Sequence, residues 1–232
     1  MTKKTIGILG GMGPLATADL FQKIVLHTDA KSDQEHPRVV IDSNTDIADR
    51  TAALLHGGAD PVPEMVKSAR RLESIGADFL VMPCNTAHNY FNEVEAAVNI
   101  PMLHMIALTR DALRSRGVKR AGLLATDGTV QTGIYRRTFA DSGVELLEPV
   151  GSDQRAVMDI IYNGVKAGDL SHDVSAFRAA CEALFASGAQ ALILGCTELP
   201  LAFELYHLDS PAVDPTLELA LGAIRFAGYQ VK

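Results

Sequence analysis

The chain has 232 residues, 47% of them hydrophobic, a formal net charge of −7 and three cysteines. That length suits one large domain or two small ones with real cores, and the acidic balance argues against nucleic acid or an anionic membrane as a partner. No apolar run approaches the roughly 18–20 residues of a membrane span, and three cysteines are too few and too odd for a disulfide scaffold, which points to a reducing cytoplasm.

Thr5–Leu9 reads as a buried strand by its short apolar run. Lys3-Lys4 and Ala16-Thr17-Ala18 imitate a secretion signal, but Gly10, Gly11, Gly13 and Pro14 break the apolar helix such a signal needs. The segment is instead a strand and a tight turn, with Pro14 suited to the first turn of a helix reaching about Asp29. Arg38–Ile41 is a second strand. Pro63–Ser74 is predicted helical, with Met65, Ala69 and Leu72 on one stripe. Phe79–Met82 is a third strand, followed by a helix near Asn89–Ala97 and a short strand at Pro101-Met102-Leu103.

The pattern then restarts. Ile106–Arg116 is a predicted helix, Arg120–Ala125 a strand, Thr129–Ser142 a helix and Val144–Leu147 a strand. Asp153–Lys166 and Val174–Ser187 are helices, Ala191–Leu194 is a strand, and Thr216–Ala227 is a tail helix able to pack back on the first half. Ala121-Gly122-Leu123-Leu124 echoes Ile6-Gly7-Ile8-Leu9 at an offset of 115 residues (6 to 121). Ala189 to Thr197 echoes Ala77 to Asn85, with Cys84 and Cys196 offset by 112 residues (84 to 196). Two landmarks at nearly one offset indicate a duplication. Alternating strands and helices predict parallel sheets covered on both faces, with ligands collecting at the carboxyl ends of the strands.

Cys84 and Cys196 carry most of the chemistry. A lone cysteine is usually a small buried hydrophobe, and Cys181, inside a helix, is read that way. The other two each end a strand, precede a helix start and have a threonine beside them, and helix N-termini lower thiol pKa values. One thiolate and one thiol facing a carbon from opposite sides can remove a proton and return another. Asn85, Thr86 and Thr197 are helix caps by default, a role compatible with holding a carboxylate. The turns at Gly11-Met12-Gly13 and Thr126–Thr129 occupy matching positions after strands and are placed to close the same pocket.

Competing patterns are weaker. Gly11 to Ala16 fits the dinucleotide pattern G-x-G-x-x-G/A, but the acidic residue it needs, Asp42, comes late, and the pattern leaves the paired cysteines unexplained. Asp42-x-Asn44-x-Asp46 starts like a calcium loop but has Ile47 and Ala53 where glycine and glutamate are required. No Cys/His spacing suits zinc, no G-x-S-x-G elbow is present, and no lysine context points to pyridoxal phosphate. Most single basic residues are solvated surface. Arg50, after a polar loop that follows the second strand, is nevertheless where a carboxylate-gripping arginine would sit.

Ile8-Leu9-Gly10-Gly11-Met12-Gly13-Pro14, Pro83-Cys84-Asn85-Thr86-Ala87-His88 and Gly195-Cys196-Thr197-Glu198-Leu199 resemble the three signatures of the aspartate/glutamate racemase family. The resemblance spans essentially the whole chain. It implies an α/β fold of two similar doubly wound parallel-sheet domains, related by a pseudo-twofold, with the active site in the cleft between them. The expected division is residues 1–105 plus 212–232 against 106–211. It further implies a homodimer that racemises a small amino acid with neither cofactor nor metal. Cys84 and Cys196 would be the acid/base thiols. Asn85, Thr86, Thr129 and Thr197 would bind the α-carboxylate or amino group, with Met12 and Glu198 completing the binding set. Arg50 and Lys166 sit where the family's aspartate enzymes hold the side-chain carboxylate. Glutamate racemases typically carry histidine where this chain has Glu198, which favours aspartate over glutamate or a broad range. The alternatives are a one-thiol isomerase or decarboxylase on the same scaffold, an amino-acid sensor that does no chemistry, and a nicotinamide-binding oxidoreductase.

Overall fold

The computed structural model describes residues 3–232. They form two compact units, one of residues up to Leu108 together with Thr216–Lys232, the other Thr109–Pro215.

In the first unit, strands β1 (Ile6–Gly10), β2 (Val39–Ser43), β3 (Phe79–Val81) and β4 (Met102–Leu103) form a four-stranded sheet in the order β2-β1-β3-β4. Every pairing is parallel. Alternation along the strands feeds two cores. Leu9 and Leu80 point into a cluster with Met65, Ala69 and Leu72 of the helix Val62–Ser74. Ile6, Ile8, Phe79 and Val81 point the other way, onto Leu20 and Ile24 of the helix Pro14–His27 and Leu219, Ala220, Ala223 and Ile224 of the helix Pro215–Phe226. The sheet is therefore apolar on both faces, as parallel strands require. Burying each such leucine or isoleucine contributes about 2 kcal/mol. The tail helix packs on this unit, and the last residues tie to the first helix through Lys232 N–H to the His27 carbonyl at 3.0 Å.

The second unit repeats the scheme. Strands β5 (Arg120–Leu124), β6 (Glu145–Leu147), β7 (Ala191–Leu194) and β8 (Ala212–Val213) pair in parallel in the order β6-β5-β7-β8. Leu124, Leu192 and Leu194 face Phe177, Cys181 and Leu184 of the helix Ser175–Ala186. Leu123 and Ile193, which alternate to the opposite face, are also completely buried. The echoed glycines show why the repeat is kept. Gly7 lies opposite Leu80 and Gly122 opposite Leu192. A Cβ at Gly7 would meet Leu80 Cδ2 at 2.6 Å, and one at Gly122 would meet Leu192 Cδ2 at 2.9 Å.

Several predicted elements differ in detail. The helix expected over 129–142 is two, Asp127–Thr132 and Ile134–Phe139, because Gly133 takes the left-handed conformation at φ 67° and ends the first. The helix expected over 153–166 is α-helical only through Ser152–Asp159 and then π-helical over Ile160–Val165. The one expected near 89–97 starts earlier, as the 3-10 turn Thr86–Tyr90 followed by Phe91–Glu95. The helix Arg50–His56 is absent from the sequence reading because it buries no residue and so has no apolar stripe. Its signals are local: Asp49 accepts the Ala52 N–H at 2.7 Å, and Gly57 closes the far end in the left-handed region. Among the described residues, no helix is long and apolar enough to cross a membrane.

Candidate functional site

In the first unit the singled-out residues gather where the parallel strands end. Cys84 follows β3, its N–H donating to the Met82 carbonyl at 2.9 Å. Asn85 and Thr86, both buried, open the 3-10 turn that follows. Met12, in the turn after the adjacent strand β1, shares a core cluster with Cys84 and Ile47. That turn is pressed against its neighbour: a Cβ on Gly11 would lie 2.2 Å from the Asn44 carbonyl oxygen. Arg50 begins its helix beyond β2. One guanidinium nitrogen donates to the Ile47 and Ala48 carbonyls at 3.3 and 3.0 Å. Its Nε is buried and has no hydrogen-bond partner among the described residues. Asp42, the acid a dinucleotide site would need, is paired with Arg71 at 2.8 Å.

His88 stands in the sequence only as part of a signature, yet it is the residue that fixes the Cys84 loop. It lies one helical turn on from Cys84, and its Nδ1 is 2.8 Å from the Cys84 carbonyl oxygen. Its Nε2 accepts the Met105 N–H at 3.0 Å. A carbonyl only accepts and a backbone N–H only donates, so the proton sits on Nδ1 and Nε2 is bare. Burial pushes the imidazole pKa down to about 3, with the neighbouring His104 adding to the effect. His88 is thus a neutral strut between the cysteine loop and the start of the helix Met105–Ser115.

In the second unit, Cys196 follows β7 and precedes the helix Leu199–Leu205. Its Sγ donates to Glu198 Oε2 at 2.9 Å, and Thr197 Oγ1 donates to the same oxygen at 3.3 Å. The other carboxylate oxygen faces Lys166 Nζ at 3.5 Å. Lys166 directly follows the π-helical stretch, a feature frequent at functional sites, and its N–H donates to the Ile161 carbonyl at 3.1 Å. On the neighbouring strand's end, Thr126 caps the helix Asp127–Thr132, and its hydroxyl also lies 3.2 Å from that of the fully buried Thr129. Gln154, unread in the sequence, braces this turn through the Ala125 carbonyl at 3.0 Å and Asp127 Oδ1 at 2.8 Å.

Burial first, and the Glu198 carboxylate second, push the Cys196 thiol well above the usual thiol range. The sequence expectation of a thiol acidified by a helix N-terminus fails for Cys196, because desolvation and an adjacent anion outweigh the backbone dipoles. Cys181 is pushed up to about 12 by burial and packs in the core of its unit. Tyr135, buried near Cys196 and Asp214, is held far above the ordinary phenol range. Met12, Arg50, Cys84, Asn85 and Thr86 thus collect at the carboxyl edge of the first sheet. Cys196, Thr197, Glu198 and Lys166 form a contact chain at the same edge of the second, with Thr129 inside the helix Asp127–Thr132 that follows β5, not in the turn expected over 126–129.

Comparison with known proteins bears on this arrangement. The family model described as Asp/Glu/Hydantoin racemase matches residues 9–221. Among solved structures, the aspartate racemase of Picrophilus torridus is 35% identical with a TM-score of 0.84, covering 99% of this chain and 96% of its own. A broad-specificity amino-acid racemase of Bacillus subtilis is 28% identical over 97% of this chain and 99% of its own length. A glutamate racemase of Aquifex pyrophilus is 27% identical over 67% of this chain and 61% of its own.

Proposed function

The chain belongs to the Asp/Glu/hydantoin racemase family, and from that premise we propose that it interconverts L- and D-aspartate without a cofactor, with Cys84 and Cys196 as the two acid/base thiols. One observation carries the reading: in each duplicated half a buried cysteine on a polar turn follows the equivalent strand, β3 or β7. A single thiol would not require the duplication of that loop.

In the proposed reaction one sulfur, as thiolate, takes the Cα proton, and the other, as thiol, delivers a proton to the opposite face. The electron pair of the Cα–H bond stays on Cα meanwhile. Asn85, Thr86, Thr129 and Thr197 hold the α-carboxylate or amino group, with Met12 walling the pocket. Donors placed before the reaction begins stabilise the carbanion, and fixing the substrate against the sulfurs supplies the entropic part of the rate. Arg50, with a buried Nε lacking a partner, and Lys166 receive the side-chain carboxylate. The likeness to the Picrophilus aspartate racemase supports aspartate, while the Bacillus relative's broad range makes a substrate panel part of the test. The decisive experiment is proton NMR of L-aspartate with the purified protein in D₂O, with reductant and no added cofactor. The α-proton signal should vanish while D-aspartate appears on a chiral column. Absence of exchange with aspartate, glutamate and a panel of amino acids would overturn the proposal.

A further inference from the structure

Glu198 uses its two oxygens for different partners. Oε2 accepts from Cys196 Sγ at 2.9 Å, and Oε1 faces Lys166 Nζ at 3.5 Å. The carboxylate is largely buried, its side chain 15% exposed, whereas that of Lys166 is 38% exposed. Lys166 Nζ also lies 4.8 Å from the centre of the Tyr162 ring. Glu198 therefore joins a buried thiol to a cation that reaches solvent.

We propose that Glu198 is the proton acceptor that turns Cys196 into a base, and that Lys166 is its substrate-operated restraint. A carboxylate on the substrate's side chain draws the ammonium away from Oε1, and the Cys196 proton then passes to Oε2. The inference rests on the proposed function, that Cys84 and Cys196 exchange the Cα proton and that Lys166 meets a distal carboxylate. The physical basis is that a thiol and a carboxylate in contact share protons as a pair. The cation favours either anion, the thiolate included, but it stands against the carboxylate, so drawing it away shifts the shared proton toward oxygen. The step is balanced: the S–H bond breaks, an O–H bond forms on Glu198, and the sulfur keeps the electron pair that next takes the Cα proton. Cys84 supplies a proton to the opposite face and is left as thiolate. After product leaves, Glu198 returns its proton to solvent and Cys84 recovers one. The opposite direction runs the same steps backwards. Tyr135, another titratable group near Cys196, is kept neutral by burial. Substrates without a second carboxylate leave the restraint in place, so the couple selects in kcat as well as in binding.

The test is steady-state racemisation by the full-length protein and its E198Q, E198D and K166M variants, across pH and across substrates. For E198Q, kcat at neutral pH should fall roughly a hundredfold or more, the usual scale of a lost general base. Its log kcat should then climb with pH through the thiol range, because hydroxide takes over and Cys196 has lost the anion beside it. E198D should restore much of the neutral activity. K166M should lose kcat/KM for aspartate while its kcat for a monocarboxylate amino acid such as alanine rises above wild type. E198Q within a few-fold of wild type, or depressed equally at every pH, would overturn the base assignment. Equal losses by K166M on aspartate and alanine would overturn the restraint. The underlying reading fails separately: it falls if wild type exchanges no α-proton, or prefers monocarboxylate amino acids to aspartate, whatever the variants do.

Discussion

Acid should weaken this protein through His88 specifically. The ring is buried and neutral, its Nδ1 proton held by the Cys84 carbonyl at 2.8 Å and its Nε2 taken by the Met105 N–H at 3.0 Å. A second proton would have to enter at Nε2, breaking that bond and setting N–H against N–H. The folded pKa is accordingly pushed down to about 3, against about 6.5 in an unfolded chain. Between those values the unfolded state binds more protons, so stability is fully present above about pH 6.5 and is lost as pH falls. The slope approaches 1.4 kcal/mol per pH unit, giving about 2 kcal/mol lost from this one group by about pH 5. The assay is urea unfolding followed by circular dichroism at about pH 7 and about pH 5, on wild type and on His88→Asn. The asparagine amide reproduces the Nδ1–H donor but does not titrate. His88→Asn should be less stable at neutral pH, having lost the acceptor for Met105 and the ring packing on Phe91 and His104. Its further loss on acidification should be smaller than wild type's by about 2 kcal/mol. Identical losses in the two proteins would refute the reasoning.

Three other outcomes follow from the site. Cys84→Ser and Cys196→Ser should each cut racemisation by roughly a thousandfold or more while circular dichroism stays unchanged, since a hydroxyl is a far weaker acid than a thiol; near-normal turnover by either would exclude the two-thiol mechanism. Arg50→Ala should lower kcat/KM for aspartate by roughly 30- to 150-fold, the worth of a charge-assisted bond of about 2–3 kcal/mol, and should barely touch alanine; steady-state kinetics with both substrates decides whether Arg50 reads the side chain. Gly11→Ala places a Cβ at φ +89° and 2.2 Å from the Asn44 carbonyl, so thermal unfolding should show a loss on the order of 3 kcal/mol; an unchanged melting temperature would mean the turn yields easily.

What the sequence disclosed, and what it withheld, follows from the range of the forces involved. The two sheets were legible because their strands are short apolar runs bounded by glycine turns, and because Gly7 and Gly122 mark the same close packing twice. The cysteines were legible because the duplication repeats their whole surroundings. The helix Arg50–His56 was not, since its cap and its left-handed glycine are local signals without periodicity. The π-helical stretch before Lys166 was hidden too, because a one-residue change in hydrogen-bond spacing leaves no mark in composition. The pairing of Lys166 with Glu198 depends on segments 32 positions apart in sequence (166 to 198), a distance over which no motif speaks. His88 stood in plain view within a signature, but its role as a strut needs Met105, which only the fold brings to it.

The duplicated loops have diverged at the point where chemistry would use them. After the first cysteine the chain places a histidine that grips the backbone carbonyl, leaving the sulfur to its surroundings. After the second it places a carboxylate that accepts a hydrogen bond from the sulfur itself. Two enantiomers have equal free energy in water, so a racemase must have the same kcat/KM in both directions whatever its asymmetry. Unequal thiols therefore cannot set a direction. What they can do is distribute kcat and KM differently between the enantiomers, and fix where the proton sits before substrate arrives. In the proposed reaction that place is Cys196, held protonated by burial and by Glu198. The divergence of the second loop then has a chemical meaning: a thiol kept neutral needs an acceptor at hand when its turn as base comes, and Glu198 is the group in contact with it.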